Sequence, residues 1–214
     1  MNAVIFDMDG VIFDSEQLVK ACWEEVGEQY QIENIGYVFY KCLGTNKAAT
    51  RVILNEHYGD ALNVDTFFKD TRELFYKYVY EFGMPMKPYI RQLLVKLKEM
   101  DYAIGLASST RFEAIVEELT MTGLINYFDY IVGGDMVANS KPDPEIFLKC
   151  CAGLHKNPKD TYVIEDSYNG IRAAYAAGMK AIMVPDMVMP DEEMKSMAVV
   201  AKNLKEVMNI LCDE

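Results

Sequence analysis

The first apolar run, Ala3-Val4-Ile5-Phe6, passes directly into Asp7-Met8-Asp9-Gly10-Val11. A short apolar run closed by a glycine signal predicts a buried strand of a parallel sheet. Beyond residue 13 the pattern changes to helical spacing. Leu18, Cys22, Val26 and Tyr30 fall on one face, and Asp14 with Gln17 is placed as a capping box. Two further helices are predicted. One, over 46–58, opens on Asn46 and stops before Gly59; the other, over 65–82, ends at Gly83 and aligns Phe68, Thr71, Phe75, Tyr78 and Phe82. That aromatic stripe reads as the core of a helical bundle. The segment Met84-Pro85-Met86-Lys87-Pro88 has the punctuation of a linker.

From Pro88 onward helix and strand alternate. Helices are predicted at 88–100, 111–122, 143–154 and 168–177, and strands at 103–107, 130–134, 161–164 and 181–184. Leu204, Val207, Met208 and Leu211 mark a final amphipathic helix. Five strands with helical crossovers predict an α/β, doubly wound, Rossmann-like and mostly parallel sheet. No strand signal interrupts residues 14–83. The expected organisation is therefore an α/β core domain formed by 1–14 and 84–214, with 15–83 as an inserted all-helical domain.

Composition narrows the function. The chain has 214 residues, 51% of them apolar and 25% charged, which supports a real core without staples. A formal charge of −12 argues against nucleic acid or an anionic membrane as partner, because phosphate surfaces demand a basic face. An anionic ligand would need local cations or a metal to reverse that field. Cys22, Cys42, Cys150, Cys151 and Cys212 are odd in number and lack C-x-x-C spacing, which fits a reducing, cytoplasmic compartment. No apolar run approaches the ~18 residues of a membrane span. The expectation is a soluble, unprocessed protein, with its oligomeric state open and a monomer compatible.

Polar residues recur at the predicted carboxyl ends of the strands, where open α/β sheets place ligands. Asp7-Met8-Asp9-Gly10 is either a polar turn or a reactive carboxylate site. Ser108-Ser109-Thr110-Arg111 is either a helix N-cap or a phosphate cradle. Lys141, in Ser140-Lys141-Pro142, is a solvated loop lysine or an anion ligand; Glu165-Asp166-Ser167 is an acidic cap or a hard-cation site. Convergence of all four on one crevice favours the functional reading of each. His57 and His155 lie away from strand ends and read as surface or packing residues.

With these motifs in this order, the sequence resembles the haloacid dehalogenase superfamily of aspartate-nucleophile phosphatases and mutases. Within it, the chain is similar to the subgroup with a helical cap after the first strand, which includes beta-phosphoglucomutase-like and phosphoglycolate phosphatase-like proteins. The resemblance rests on Asp7-Met8-Asp9-Gly10-Val11, Leu106-Ala107-Ser108-Ser109, Ser140-Lys141-Pro142 and Glu165-Asp166-Ser167 with Gly170-Ile171. It implies that Asp7 is the nucleophile and Asp9 the general acid and base. It implies that Ser108, Ser109 and Lys141 hold phosphate oxygens, with Thr110 and Arg111 as secondary candidates. It implies Mg²⁺ held by Asp7, Asp9 (through its carbonyl) and Asp166, with Glu165 as a further ligand or a supporting residue. In the cap, Gly44, Thr45 and Lys47 match the loop that meets substrate.

The implied activity is a Mg²⁺-dependent phosphatase of small phosphorylated metabolites, including sugar phosphates. Asp9 supports ester chemistry, because the dehalogenase and phosphonate-cleaving branches lack an acid there. A phosphosugar mutase is the alternative, against which Val19 and Lys47 stand where that branch has a histidine and an arginine. A non-enzymatic phospho-accepting switch is a third reading, disfavoured by Asp9 and by the long helical insertion.

Overall fold

A computed structural model describes residues 2–43, 45 and 47–212. The chain divides into two compact units, one formed by Met1–Phe13 with Met86–Glu214 and the other by Asp14–Pro85.

The first unit is built on six parallel strands: β1 (Ala3–Phe6), β2 (Ala103–Ala107), β3 (Tyr130–Val132), β4 (Thr161–Glu165), β5 (Lys180–Met183) and β6 (Ala198–Val200). They run in the order β3-β2-β1-β4-β5-β6, the doubly wound arrangement. Every side chain of β1 is fully buried, as expected of a central parallel strand covered on both faces. Alternation sends Ile5 toward a core shared with Ala107, Val163, Phe147 and Cys150. Phe6 points the other way and meets Phe128 edge-on at 6.2 Å. Phe6 pairs with Leu106 on one side and Ile164 on the other, so the residues that follow these three strands emerge side by side. The strand order reverses between β1 and β4, which opens a crevice at their carboxyl ends.

The sheet has one strand more than the sequence predicts. β6 is three residues long and lies at an edge with Val199 and Val200 exposed, so it carries no buried apolar run to announce it. The predicted strand 130–134 ends at Val132, because Gly133 and Gly134 leave the sheet and press against the chain after β2. A Cβ on Gly134 would stand 2.3 Å from the Ser109 carbonyl oxygen.

The second unit is helical: α1 (Ser15–Gln29), α2 (Ile35–Cys42), α3 (Lys47–Tyr58) and α4 (Val64–Phe82). α2 is absent from the sequence reading. Gly36 and its β-branched and aromatic residues are poor helix formers, yet Ile35, Val38, Phe39 and Cys42 bury a regular helical stripe. Trp23 packs edge-on between Phe39 and Phe67, each ring centroid 5.2 Å away. The buried face of α4 is Val64, Phe67, Thr71, Phe75 and Val79. The predicted stripe drifts off this face, and Phe82 is 72% exposed. Asp14 precedes α1 but makes no side-chain cap bond, contrary to the expected capping box, whereas Asn63 caps α4 by accepting from the Thr66 amide. The predicted cap Asn46 lies outside the described residues.

The remaining helices belong to the first unit: α5 (Ile90–Glu99), α6 (Phe112–Met121), α7 (Glu145–Gly153), α8 (Tyr168–Ala176), α9 (Glu192–Met197) and α10 (Leu204–Cys212). The five cysteines are unbridged thiols, all buried except Cys212. Among the described residues no helix is long and apolar enough to cross a membrane.

Ile5 is completely enclosed on the central strand, so its replacement tests how far the sheet depends on that core. Ile5→Ala is expected to cost about 2–5 kcal/mol of unfolding free energy, read as a lower urea midpoint with an unchanged slope.

Candidate active site

The site begins where β1 stops. The Asp7 amide donates to the Ile164 carbonyl at 2.9 Å and extends the β1–β4 ladder by one step, which fixes the direction of the Asp7 side chain. The chain then turns sharply, with the amides of Ile12 and Phe13 both donating to the Met8 carbonyl. Gly10 makes this turn possible in two ways. Its φ of +77° lies in the left-handed region, and a Cβ there would stand 2.2 Å from Asp166 Oδ2. The first loop therefore passes directly over the carboxylate that follows β4.

The loop after β2 is held in a similar way. The Ser108 amide donates to Val132 in β3, and its buried hydroxyl oxygen accepts the Thr110 amide at 3.1 Å. Thr110 Oγ1 donates to Asp9 Oδ2 at 2.9 Å, which joins the first and second loops. Ser109 is exposed, and Arg111 pairs with the nearby Glu113.

Lys141 reaches the ends of three strands. Its ammonium donates to Asp7 Oδ1 at 2.6 Å, to Glu165 Oε1 at 2.8 Å and to the Ala107 carbonyl at 3.3 Å, and lies 4.8 Å from the centroid of the Phe147 ring. Its side chain is 6% exposed, which overturns the alternative of a solvated loop lysine. Glu165 is positioned on its other oxygen by the amide and hydroxyl of Ser167, at 2.7 and 2.9 Å. Ser167 Oγ also accepts the Gly170 amide at the start of α8. Gly170 leaves room for this carboxylate, since a Cβ there would stand 1.7 Å from Glu165 Oε1.

Asp7, Glu165 and Asp166 are all buried, and each offers an oxygen within 4.8 Å of the others. Three buried carboxylates thus lie together, and two of them pair with one ammonium. The Asp7 carboxyl is raised to about 7, chiefly by burial; Lys141 opposes the rise, and Glu165 and Asp9 add to it. Burial acts to lower the Lys141 pKa, but Asp7 and Glu165 together outweigh burial and hold it above the ordinary value. Hard oxygen donors with excess negative charge suit a divalent cation, and the cluster could hold one.

The structure thus brings together Asp7, Asp9, Ser108, Lys141, Glu165 and Asp166. Thr45 and Lys47 belong to the helical unit. Thr45 Oγ1 donates to the Cys42 carbonyl and lies 2.9 Å from Thr50 Oγ1, and the Lys47 ammonium sits 5.4 Å from the Phe68 ring centroid. Gly44 lies outside the described residues. His57 is 3.3 Å from Lys41, and both belong to the helical unit.

Asp186, which follows β5, was missed. It pairs with Lys87 and comes within 4.8 Å of Asp166, oxygen to oxygen. The strand-end rule that singled out the first four strands, applied to Val184-Pro185-Asp186, would have found it.

Known proteins agree with this architecture. The family model described as haloacid dehalogenase-like hydrolase matches residues 4–184. A phosphorylated carbohydrates phosphatase from Thermotoga maritima is 34% identical over 99% of this chain and 98% of its own length. A beta-phosphoglucomutase from Bacillus subtilis is 32% identical over 86% and 83% respectively. The crystal structure of a candidate beta-phosphoglucomutase from Thermotoga maritima superposes with a TM-score of 0.81 at 31% identity, covering 100% of this chain and 99% of that one. The chain belongs to the haloacid dehalogenase-like hydrolases.

Proposed function

We propose that the protein is a Mg²⁺-dependent phosphatase of small phosphorylated metabolites, sugar phosphates among them, acting through an aspartyl phosphate on Asp7. The observation that carries this reading is the buried bridge from Lys141 to both Asp7 and Glu165, at 2.6 and 2.8 Å, beside Asp166. A carboxylate and a phosphate repel each other, and this cluster of one ammonium and a set of hard oxygen donors is suited to let them meet.

A bound Mg²⁺ would neutralise charge on the phosphate and on Asp7. Its proposed holders are the carboxylates of Asp7 and Asp166 and the carbonyl of Asp9, while Glu165 serves chiefly to hold Lys141. An Asp7 oxygen attacks phosphorus, and the bond from phosphorus to the ester oxygen breaks. Asp9 gives its proton to the departing alkoxide, oriented by the hydroxyl of Thr110. Lys141 and the Ser108 loop, including the exposed Ser109, hold the transferring oxygens. Water then attacks the aspartyl phosphate, Asp9 takes the proton, and inorganic phosphate leaves with Asp7 restored. Discrimination among esters is assigned to the helical unit, with Thr45 and Lys47 as the residues to vary. The unbridged cysteines support a reducing, cytoplasmic setting.

A relative described as a beta-phosphoglucomutase keeps a second reading open, in which a sugar hydroxyl replaces water in the second step. The two share the first half-reaction. Incubation with β-glucose 1-phosphate, Mg²⁺ and a trace of the bisphosphate separates them: phosphate release outpacing formation of glucose 6-phosphate supports the phosphatase, and the reverse supports the mutase.

Three outcomes are expected of the reaction. Across a panel of phosphorylated metabolites, Asp7→Asn lowers phosphate release by more than about 10⁴-fold with folding intact by circular dichroism. Asp9→Asn lowers turnover of alkyl phosphates by about 10²–10⁴-fold, and that of p-nitrophenyl phosphate by less, since its leaving group needs little protonation. The raised Asp7 pKa gives the third. In the metal-free protein the stabilising effect of a neutral Asp7 is full below its ordinary value of 3.8 and is lost as pH rises to about 7. A cation must displace that proton, so Mg²⁺ affinity measured calorimetrically rises with pH up to about 7 and then levels off.

A further inference from the structure

Asp186 stands at the carboxyl end of β5, beside β4. The Val184 amide donates to the Glu165 carbonyl at 2.8 Å, which carries the β4–β5 ladder past the strands and delivers Asp186 next to Asp166. A carboxylate oxygen of each lies within 4.8 Å of the other. Asp186 Oδ1 accepts from the Lys87 ammonium at 2.5 Å, and the Asp186 side chain is only 10% exposed. Among the described residues, Asp186 Oδ2 is a buried oxygen with no hydrogen-bond partner. A buried carboxylate oxygen left in this state is costly unless something donates to it.

The chemistry of the donor is constrained. Lys87 already balances the charge of Asp186, so the second oxygen calls for a neutral N–H or O–H rather than another cation. Mg²⁺ takes one or two carboxylates and keeps several waters, and those waters are strong donors. The geometry points to Asp186 as a positioning residue of the cation site: it accepts a hydrogen bond from a cation-bound water on the Asp166 side, while Lys87 offsets its charge through the other oxygen. This rests on the reading of Asp7 and Asp166 as cation ligands. Partners of this kind typically set metal affinity by 10–100-fold, about the effect expected here.

Calorimetric titration of the full-length protein with Mg²⁺ tests the proposal. Asp186→Asn is expected to weaken binding by about tenfold or more with an unchanged circular dichroism spectrum, because the amide is a poorer, uncharged acceptor. Lys87→Met is expected to act in the opposite direction and tighten binding, since it leaves the charge of Asp186 unbalanced near the ion. A purely structural Lys87–Asp186 pair would weaken or leave unchanged both variants alike, and that result overturns the proposal. Should Asp186→Asn fail to fold, Lys87→Met alone decides, with unchanged or weaker binding counting against. Asp166→Asn is the control for the underlying reading. If it binds Mg²⁺ as tightly as the wild type, the cation site itself is misassigned; if it loses binding while Asp186→Asn does not, only the role of Asp186 falls.

Discussion

The charge bridge at Lys141 governs the rest of the structure. One buried ammonium is shared by two carboxylates from strands that flank the reversal in sheet order, with a third carboxylate beside them. Removing charges from water is expensive, and a cluster that remains net negative after pairing is more expensive still. A fold keeps such an arrangement only if the surrounding backbone over-determines it. The first two loops are fastened to neighbours, Asp7 to Ile164, Ser108 to Val132 and Thr110 to Asp9, while Glu165 is held within its own segment by Ser167. The excess negative charge is also what suits the pocket to a divalent cation.

Much of this could be read in the sequence because two simple periodicities carry it. A buried, mainly apolar strand running into acidic residues marks β1 and β4, and a parallel sheet then forces the polar residues at each strand end onto one edge. The residues that follow β1, β2 and β4, together with Lys141, meet in the structure for that reason. The signal fails where burial is partial or elements are short. β6 has three residues, and α2 contains Gly36 and residues with modest helix propensity, so its burial within the helical unit overrides local preference. The face of α4 was displaced because a strict spacing of three and four drifts around a helix of 19 residues. Asp186 was legible in principle, but no dense motif surrounds it.

The glycines show how the backbone makes room for charge. Gly10 and Gly170 each occupy space that a side chain would take from a carboxylate, Asp166 in one case and Glu165 in the other. Gly134 does the same for the backbone of Ser109. Close approach of main chain to acid keeps the carboxylates of Asp166 and Glu165 against the loops that carry their neighbours. The placement is therefore set by loops locked at their bases, and depends less on rotamers that would have to be ordered on binding.

Ser167 links secondary structure to this pocket in a way that has a direction. Its oxygen takes the amide proton of Gly170, and its own proton goes to Glu165, which in turn receives one from Lys141. A hydroxyl has a single proton to give, so the sense of this relay follows from its accepting role at the first turn of α8. The helix start and the lysine are thereby wired in series, and a change of charge at Glu165 would be passed through Ser167 to the N-terminal cap of α8.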